Sequence, residues 1–279
     1  MPQYSEYPGK QTFVAFDTET TGMWAPVNRI VELGAVKFNL ADGRLGTYQS
    51  LVDPERAIPA DVIEIHGITN EMVAGAPRIK TVLEEFASFC GKESIMIAHN
   101  APFDISFMGS EMKRAGLDFT DNPILDTVDI YHRVFPGLES YSLLNIVRHF
   151  DVAVTQEHRA LADAVLVHRL FEMAAKKFPP VSNRSDFLRL WLVHRISDWQ
   201  GEPAVLPSGF EDLQNAVERG LRVEIDYQHP VKSPTTRVIQ PHQVHQLGQV
   251  FYINAYCERA RGERTFRLDR INNYRLLAE

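Results

Sequence analysis

Two hydrophobic periods alternate over the first 175 residues of this chain, and that alternation limits its fold more than any other feature. Thr12-Phe13-Val14-Ala15-Phe16 is a short apolar run of the kind a buried central strand presents. Arg29 to Asn39 predicts a second strand, and Leu40-Ala41-Asp42-Gly43 is turn chemistry leading into a third, Arg44 to Val52. Ile79, Val82, Leu83 and Phe86 then recur at helical spacing. Ser94 to Ala98 is another short buried strand, and Ala101-Pro102 opens a helix, since proline suits a first turn. A fifth strand ends near Leu125, and helical stretches follow over Ser142–Phe150 and Arg159–Lys177. This order predicts an α/β fold with a mixed sheet flanked by helices.

Phe178-Pro179-Pro180 breaks the last of these helices. Ser182-Asn183-Arg184-Ser185 can cap a short amphipathic segment, Phe187–Trp199, and Gly201, Pro203, Pro207 and Gly209 mark a linker. Beyond it lie a helix, Phe210–Arg219, and short strands at Arg222–Tyr227, Thr236–Gln240, Val250–Tyr256, Thr265–Leu268 and Asn273–Leu277, a spacing that predicts a small β-barrel. At roughly 150 residues per domain, the 279 residues divide into two units, expected at 11–177 and 210–279 with a helical linker, 178–209, between them.

Hydrophobic content of 44% and charged content of 23% exclude a disordered or fibrous chain. Membrane partners are not expected, because no apolar run approaches the ~20 residues that cross a bilayer. Met1 to Lys10 is polar and lacks the hydrophobic core of a signal peptide. Cys90 and Cys257 lie far apart, without metal-ligand spacing, and read as two thiols in a reducing compartment. The expected location is therefore cytoplasmic. Residues 205–279 carry 10 Lys and Arg against 9 Asp and Glu, while the rest carries 19 against 27, a net of −8. An acidic body argues against non-specific coating of nucleic acid. It is compatible with an enzyme that meets phosphate through metal ions held by carboxylates.

Asp17-Thr18-Glu19-Thr20-Thr21-Gly22 follows the first buried strand. Along an extended chain Asp17 and Glu19 point to one face, and two such carboxylates repel unless a cation sits between them. Either a solvated acidic loop or a metal site satisfies that pair alone. Asp104 falls in a first helical turn, where a charge also matches the helix dipole. Leu125-Asp126-Thr127 closes the fifth strand, so Asp126 reads either as a helix cap or as support for a site. His158 precedes a helix that carries Asp163.

Together these segments resemble the DEDDh 3′→5′ exonucleases, the family of the proofreading subunit of bacterial DNA polymerase III. The resemblance covers roughly residues 11–175 and rests on Asp17-x-Glu19, on Asp104 within His99-Asn100-Ala101-Pro102-Phe103-Asp104, and on His158-x4-Asp163, in that order. Ile65-His66-Gly67-Ile68-Thr69 and Leu125-Asp126-Thr127 add to it. It implies a ribonuclease H-like fold and a metal-dependent 3′→5′ exonuclease acting on nucleic acid, with single-stranded 3′ ends the expected substrate. It further implies that Asp17, Glu19, Asp104 and Asp163 hold two divalent ions, Mg²⁺ or Mn²⁺, and that His158 is the general base. Thr18, Thr20 and His66 are the implied contacts to the terminal nucleotide. Two other readings stand beside this one: a regulatory binding protein whose nuclease-like domain only grips ends, and an exonuclease for RNA or very short oligonucleotides.

Residues 210–279 resemble the WYL domain, an Sm-like small β-barrel. The matching stretches are Ile225-Asp226-Tyr227, Arg237-Val238-Ile239-Gln240-Pro241, Val250 to Tyr256 and Phe266 to Ile271, with Phe251-Tyr252-Ile253 in place of the Trp-Tyr-Leu tripeptide. The resemblance implies a nucleic-acid or nucleotide-like ligand. Arg267 and Arg270, within an arginine-rich stretch from Arg259, are candidate phosphate contacts, and Tyr227, Tyr252 and Tyr256 are candidate stacking faces. The same residues also suit a barrel core and a solvated face.

Overall fold

The computed structural model describes residues 7–118, 121–153, 155–199, 206–228, 233–247 and 250–277. The chain forms two compact units, Met1–Ser197 and Asp198–Glu279.

In the first unit the strands are β1 (Phe13–Thr20), β2 (Ile30–Asn39), β3 (Gly43–Leu51), β4 (Ile95–Ala98), β5 (Ile124–Asp126) and β6 (Val193–His194). They form one mixed sheet in the order β3-β2-β1-β4-β5-β6. β1, β2 and β3 are mutually antiparallel, β4 and β5 run parallel to β1, and β6 returns antiparallel. The helices are α1 (Ala60–His66), α2 (Asn70–Val73), α3 (Ile79–Cys90), α4 (Ala101–Ala115), α5 (Thr127–Val134), α6 (Leu143–His149), α7 (Ala160–Ala175) and α8 (Arg184–Leu188). This is the mixed, helix-flanked sheet that the sequence predicts.

The pleat of β1 divides its side chains between two layers. Phe13 and Ala15 enter a core shared with Leu170 and Phe171 of α7. Phe16, on the other face, packs its ring against Phe86 of α3, with centroids 5.9 Å apart. α3 has that partner because Ile79, Val82, Leu83, Phe86 and Cys90 form one buried stripe.

One sequence expectation changes in this unit. Residues 178–194 are not a linker but part of the first unit. Phe187 is buried against Phe13, Phe178 and Trp191, and β6 extends the sheet beyond β5. Pro179-Pro180 ends α7 without ending the domain, because this aromatic cluster gives the chain an apolar reason to return. Gly201 and Pro203 of the expected linker lie outside the described residues.

The second unit contains α9 (Glu211–Arg219), β7 (Val223–Tyr227), β8 (Thr235–Leu247), β9 (Val250–Cys257), β10 (Gly262–Arg267) and β11 (Ile271–Leu276). They make one antiparallel sheet, ordered β10-β9-β8-β7-β11, over a core that includes Leu213, Ile225, Ile239, Ile253 and Phe266. The sheet curls: the Tyr227 ring on β7 meets Phe266 on β10, and the Arg267 amide donates to the Tyr227 hydroxyl at 3.2 Å. β8 runs past Gln240, where the sequence reading stops. Pro241 sits beside a bulge, a position in a sheet that tolerates a residue with no N–H.

Candidate active site

Asp17 and Glu19 continue the face of β1 that bears Phe13 and Ala15, so they point toward α7. α7 supplies Asp163 from its first turn. One carboxylate oxygen from each of Asp17, Glu19 and Asp163 lies within 4.8 Å of the others. Thr18 points to the opposite layer, and its amide and hydroxyl both donate to Asp104 Oδ1, at 3.0 and 2.7 Å. Asp104, in the first turn of α4, lies outside that 4.8 Å group but is close enough to act electrostatically on both Asp17 and Glu19.

α7 comes this close to the sheet because β2 bears Gly34 beneath it. A Cβ at Gly34 would fall 2.1 Å from the Leu161 amide nitrogen. Asp126 resolves as structural support. Its Oδ1 accepts from Val128 N, capping α5, and from Asn100 N, which holds Asn100 in the left-handed turn (φ 64°) that opens α4.

Crowded, desolvated like charges favour protonation. Burial, then the charges of Asp104, Glu19 and Asp163, raise the Asp17 carboxyl well above its ordinary range. Burial, then Asp163 and other acids, push Glu19 up to about 8. Burial pushes Asp104 up to about 7 against the Thr18 hydrogen bonds, and burial likewise raises Asp163. Asp163 Oδ2 accepts from Gln156 Nε2 at 2.5 Å, while its Oδ1 is buried with no hydrogen-bond partner among the described residues. An orphaned buried carboxylate oxygen beside two more carboxylates is a set of hard donors that fits a divalent cation.

His158 lies one residue before Arg159, the N-cap of α7, is half-buried and has a left-handed backbone (φ 51°). It is near enough to act electrostatically on both Asp163 and His66. The other sequence candidates are occupied internally. Thr18 holds Asp104, and the Thr20 hydroxyl donates to the Gly22 carbonyl at 2.7 Å. His66 is buried; its Nδ1 accepts from the Ile68 amide and its Nε2 faces the Thr20 carbonyl at 3.3 Å. In the second unit Arg267 is bound through Nε and Nη2 to Asp269, whose carboxyl both Arg267 and Arg270 hold down against the effect of burial. Tyr252 is core, Tyr227 is packed on Phe266, and Tyr256 is exposed.

Sequence reasoning misses Glu32, Gln156 and Gly34. Glu32 and Gly34 had a signal, an acid and a glycine inside the buried run Ile30-Val31-Glu32-Leu33-Gly34-Ala35. Gln156 had none.

Residues 14–171 match the Exonuclease family and residues 209–276 the WYL domain. The chain belongs to the Exonuclease family and carries a WYL domain after it. It is 38% identical over 161 residues to the DNA polymerase III subunit epsilon of Treponema pallidum, covering 57% of this chain and 74% of that protein. It is 36% identical over 162 residues to DNA polymerase III PolC-type of Halalkalibacterium halodurans, covering 58% of this chain but only 11% of that protein. Among solved structures, the nuclease domain of 3'hExo, a DEDDh family member bound to rAMP, superposes with a TM-score of 0.54 at 17% identity, covering 60% of this chain and 92% of that one. E. coli exonuclease I in complex with a dT13 oligonucleotide superposes at 0.57 and 15% identity, covering 87% of this chain and 55% of that one. Those two likenesses establish the exonuclease fold. Among the described residues no helix is long and apolar enough to cross a membrane.

Proposed function

We propose that this protein is a metal-dependent 3′→5′ exonuclease that releases nucleoside 5′-monophosphates from single-stranded DNA ends. The observation that carries the reading is the carboxylate cluster: Asp17, Glu19 and Asp163 each place one oxygen within 4.8 Å of the others, and Asp163 keeps one buried oxygen, Oδ1, without a hydrogen-bond partner among the described residues. The relatives named for DNA polymerase III and the dT13-bound exonuclease I support DNA as the substrate class.

In this reading Asp17, Glu19, Asp104 and Asp163 hold two divalent ions of the Mg²⁺ or Mn²⁺ type. Such ions neutralise the scissile phosphate and stabilise the attacking and leaving oxygens. His158 accepts a proton from the attacking water at a ring nitrogen, a task suited to an imidazole near neutral pH. Thr18 keeps Asp104 oriented, and Gln156 occupies one oxygen of Asp163 and leaves the other without a protein donor among the described residues. The second unit serves as a nucleic-acid or nucleotide-like ligand module, its exposed Tyr256 offering a stacking face.

Labelled DNA and RNA oligonucleotides, incubated with Mg²⁺ or Mn²⁺ beside an Asp17→Ala control, test the proposal. Metal-dependent shortening from the 3′ end, absent in Asp17→Ala, is the expected result. Binding of ends without digestion by the wild-type protein would replace the enzyme with an end-gripping module. Digestion of RNA alone would move the substrate class.

A further inference from the structure

Glu32 lies directly across from Glu19 in the β1–β2 register, yet it takes no part in the carboxylate cluster. Both of its oxygens are used elsewhere. Oε1 accepts from Arg159 Nη2 at 2.6 Å and Gln49 Nε2 at 2.9 Å; Oε2 accepts from Arg159 Nε at 3.0 Å and the Ala160 amide at 2.9 Å. Two bonds per oxygen leave little acceptor capacity for a metal ion. Three of the four bonds grip the two residues that directly follow His158.

The rest of the local geometry explains why a grip is needed there. His158 holds a left-handed backbone, a conformation unfavourable for a residue with a Cβ and kept only where the surroundings over-determine it. No side chain of the N-cap residue, Arg159, caps α7, so the first free N–H of that helix, at Ala160, is satisfied from β2 by Glu32 instead. The Arg159 fork adds a planar, charge-assisted contact that fixes direction as well as distance. Two residues before His158, Gln156 is bonded to Asp163. The imidazole thus sits on a short segment anchored on both sides.

We infer that Glu32, acting through Arg159 and the Ala160 amide, is a positioning residue that sets the backbone of His158 and thereby aims its ring at the reaction centre. The inference rests on the assignment of His158 as the general base. A residue that merely tied α7 to the sheet would contribute to stability without regard to what His158 does.

The test measures kcat and KM on a single-stranded DNA oligonucleotide at saturating Mn²⁺ for wild type, Glu32→Gln, Arg159→Lys, His158→Ala and Glu32→Gln/His158→Ala. Glu32→Gln and Arg159→Lys should each lower kcat by roughly 10–100-fold, with KM changed by less than about threefold and the Mn²⁺-induced rise in Tm retained. His158→Ala should lower kcat by roughly 10²–10⁴. In that background Glu32→Gln should cost less than about threefold more, because a positioning residue has nothing left to aim. Wild-type kcat in Glu32→Gln, alongside an inactive His158→Ala, would overturn the inference and leave the function standing. So would the same fold-loss from Glu32→Gln with and without His158. Wild-type kcat in His158→Ala would overturn the base assignment and this inference together. If Glu32→Gln does not fold, Arg159→Lys, at a side chain 33% exposed, is combined with His158→Ala and decides by the same comparison.

Discussion

Gly34→Ala adds one methyl group and no charge, opposite Asp17 in the β1–β2 register, and the structure gives it a large effect. The new Cβ would lie 2.1 Å from Leu161 N, 2.3 Å from the Ala160 carbonyl carbon and 2.6 Å from Leu161 Cα. All three are backbone atoms of the first turn of α7, so no side-chain rotamer relieves the clash. Ordinary contact needs about 3.5–4.0 Å, so that turn must withdraw by roughly 1–2 Å. Asp163 is in the same turn and His158 just before it. A misplacement of about 1 Å at a reaction centre costs on the order of 10²-fold in rate. Stability follows the same clash. Over-packing costs about 1–3 kcal/mol, which outweighs the ~0.4–1 kcal/mol that a glycine-to-alanine change gains through the unfolded chain. Gly46→Ala on β3 is the control, since its Cβ would meet only the Phe89 ring at 3.6 Å. The assay is turnover of a labelled oligonucleotide at saturating Mn²⁺, with thermal unfolding of each protein. Gly34→Ala should lose roughly 10²-fold in kcat and several degrees in Tm, and Gly46→Ala should lose neither. Near-wild-type rate and Tm in Gly34→Ala would refute the claim that contact between α7 and β2 sets the site.

Alanine at Asp17, Glu19, Asp104 or Asp163 should each abolish metal-dependent digestion, and a double mutant should be no worse than either single, because the ligands act as one unit; a single variant with wild-type turnover removes that residue from the set. Removing residues 205–279 should raise KM for long strands and spare short ones if the second unit grips substrate; equal KM values for both lengths would exclude that role. Replacing Arg267 and Arg270 together by Ala should flatten the salt dependence of long-strand binding. An unchanged slope in a folded double variant would remove both from the substrate contacts.

Much of the nuclease unit is legible because its strands are short apolar runs and its acids sit at their ends. Asp17 and Glu19 are readable as neighbours, since the strand period alone puts them on one face. Asp104 and Asp163 join them through sheet order, which the family resemblance implies and local spacing does not. The same limit explains Glu32. Its partner Arg159 is 127 residues away, and nothing in Ile30-Val31-Glu32-Leu33 says which helix will cross it. Side-chain roles are harder still to read. Thr18, Thr20 and His66 occupy the right place in the sequence for substrate, but their polar atoms meet backbone or Asp104, because buried donors and acceptors must be satisfied within the fold. The linker was misplaced for a related reason: Pro179-Pro180 marks the end of a helix, whereas the end of a domain is set by where apolar contacts stop, and Phe187 continues them.

The carboxylates that suit the site to a cation should also make the metal-free protein sensitive to pH. Asp17, Asp104, Asp163 and Glu19 all titrate higher in the folded state than the ordinary carboxylate range, with Glu19 at about 8 and Asp104 at about 7. Between the ordinary range and those values the folded protein binds more protons than the unfolded chain, so stability falls as pH rises. A carboxyl shifted from 4.5 to about 8 carries a few kcal/mol, a sizeable share of a domain's roughly 5–15 kcal/mol. Histidines act in the opposite sense at lower pH. Burial lowers His66, and lowers His99 to about 4, so their neutral folded forms gain stability as pH rises toward 6.5. Glu32, held low by Arg159 and Gln49 despite burial, has finished titrating below that. Asp126, outside the cluster, is likewise pushed up to about 7 by burial and adds to the fall between about 6.5 and 8, so the cluster's share there is read from the difference between wild type and Asp17→Asn. In chelator, Tm should fall across that window; Asp17→Asn should be more stable than wild type at pH 8 and flatter in slope. Added Mn²⁺ should raise Tm most at the upper end, where it displaces the fewest protons. A chelated wild-type Tm that stays level or climbs between pH 6.5 and 8, matched by Asp17→Asn, would mean the acids are not crowded enough to demand a cation.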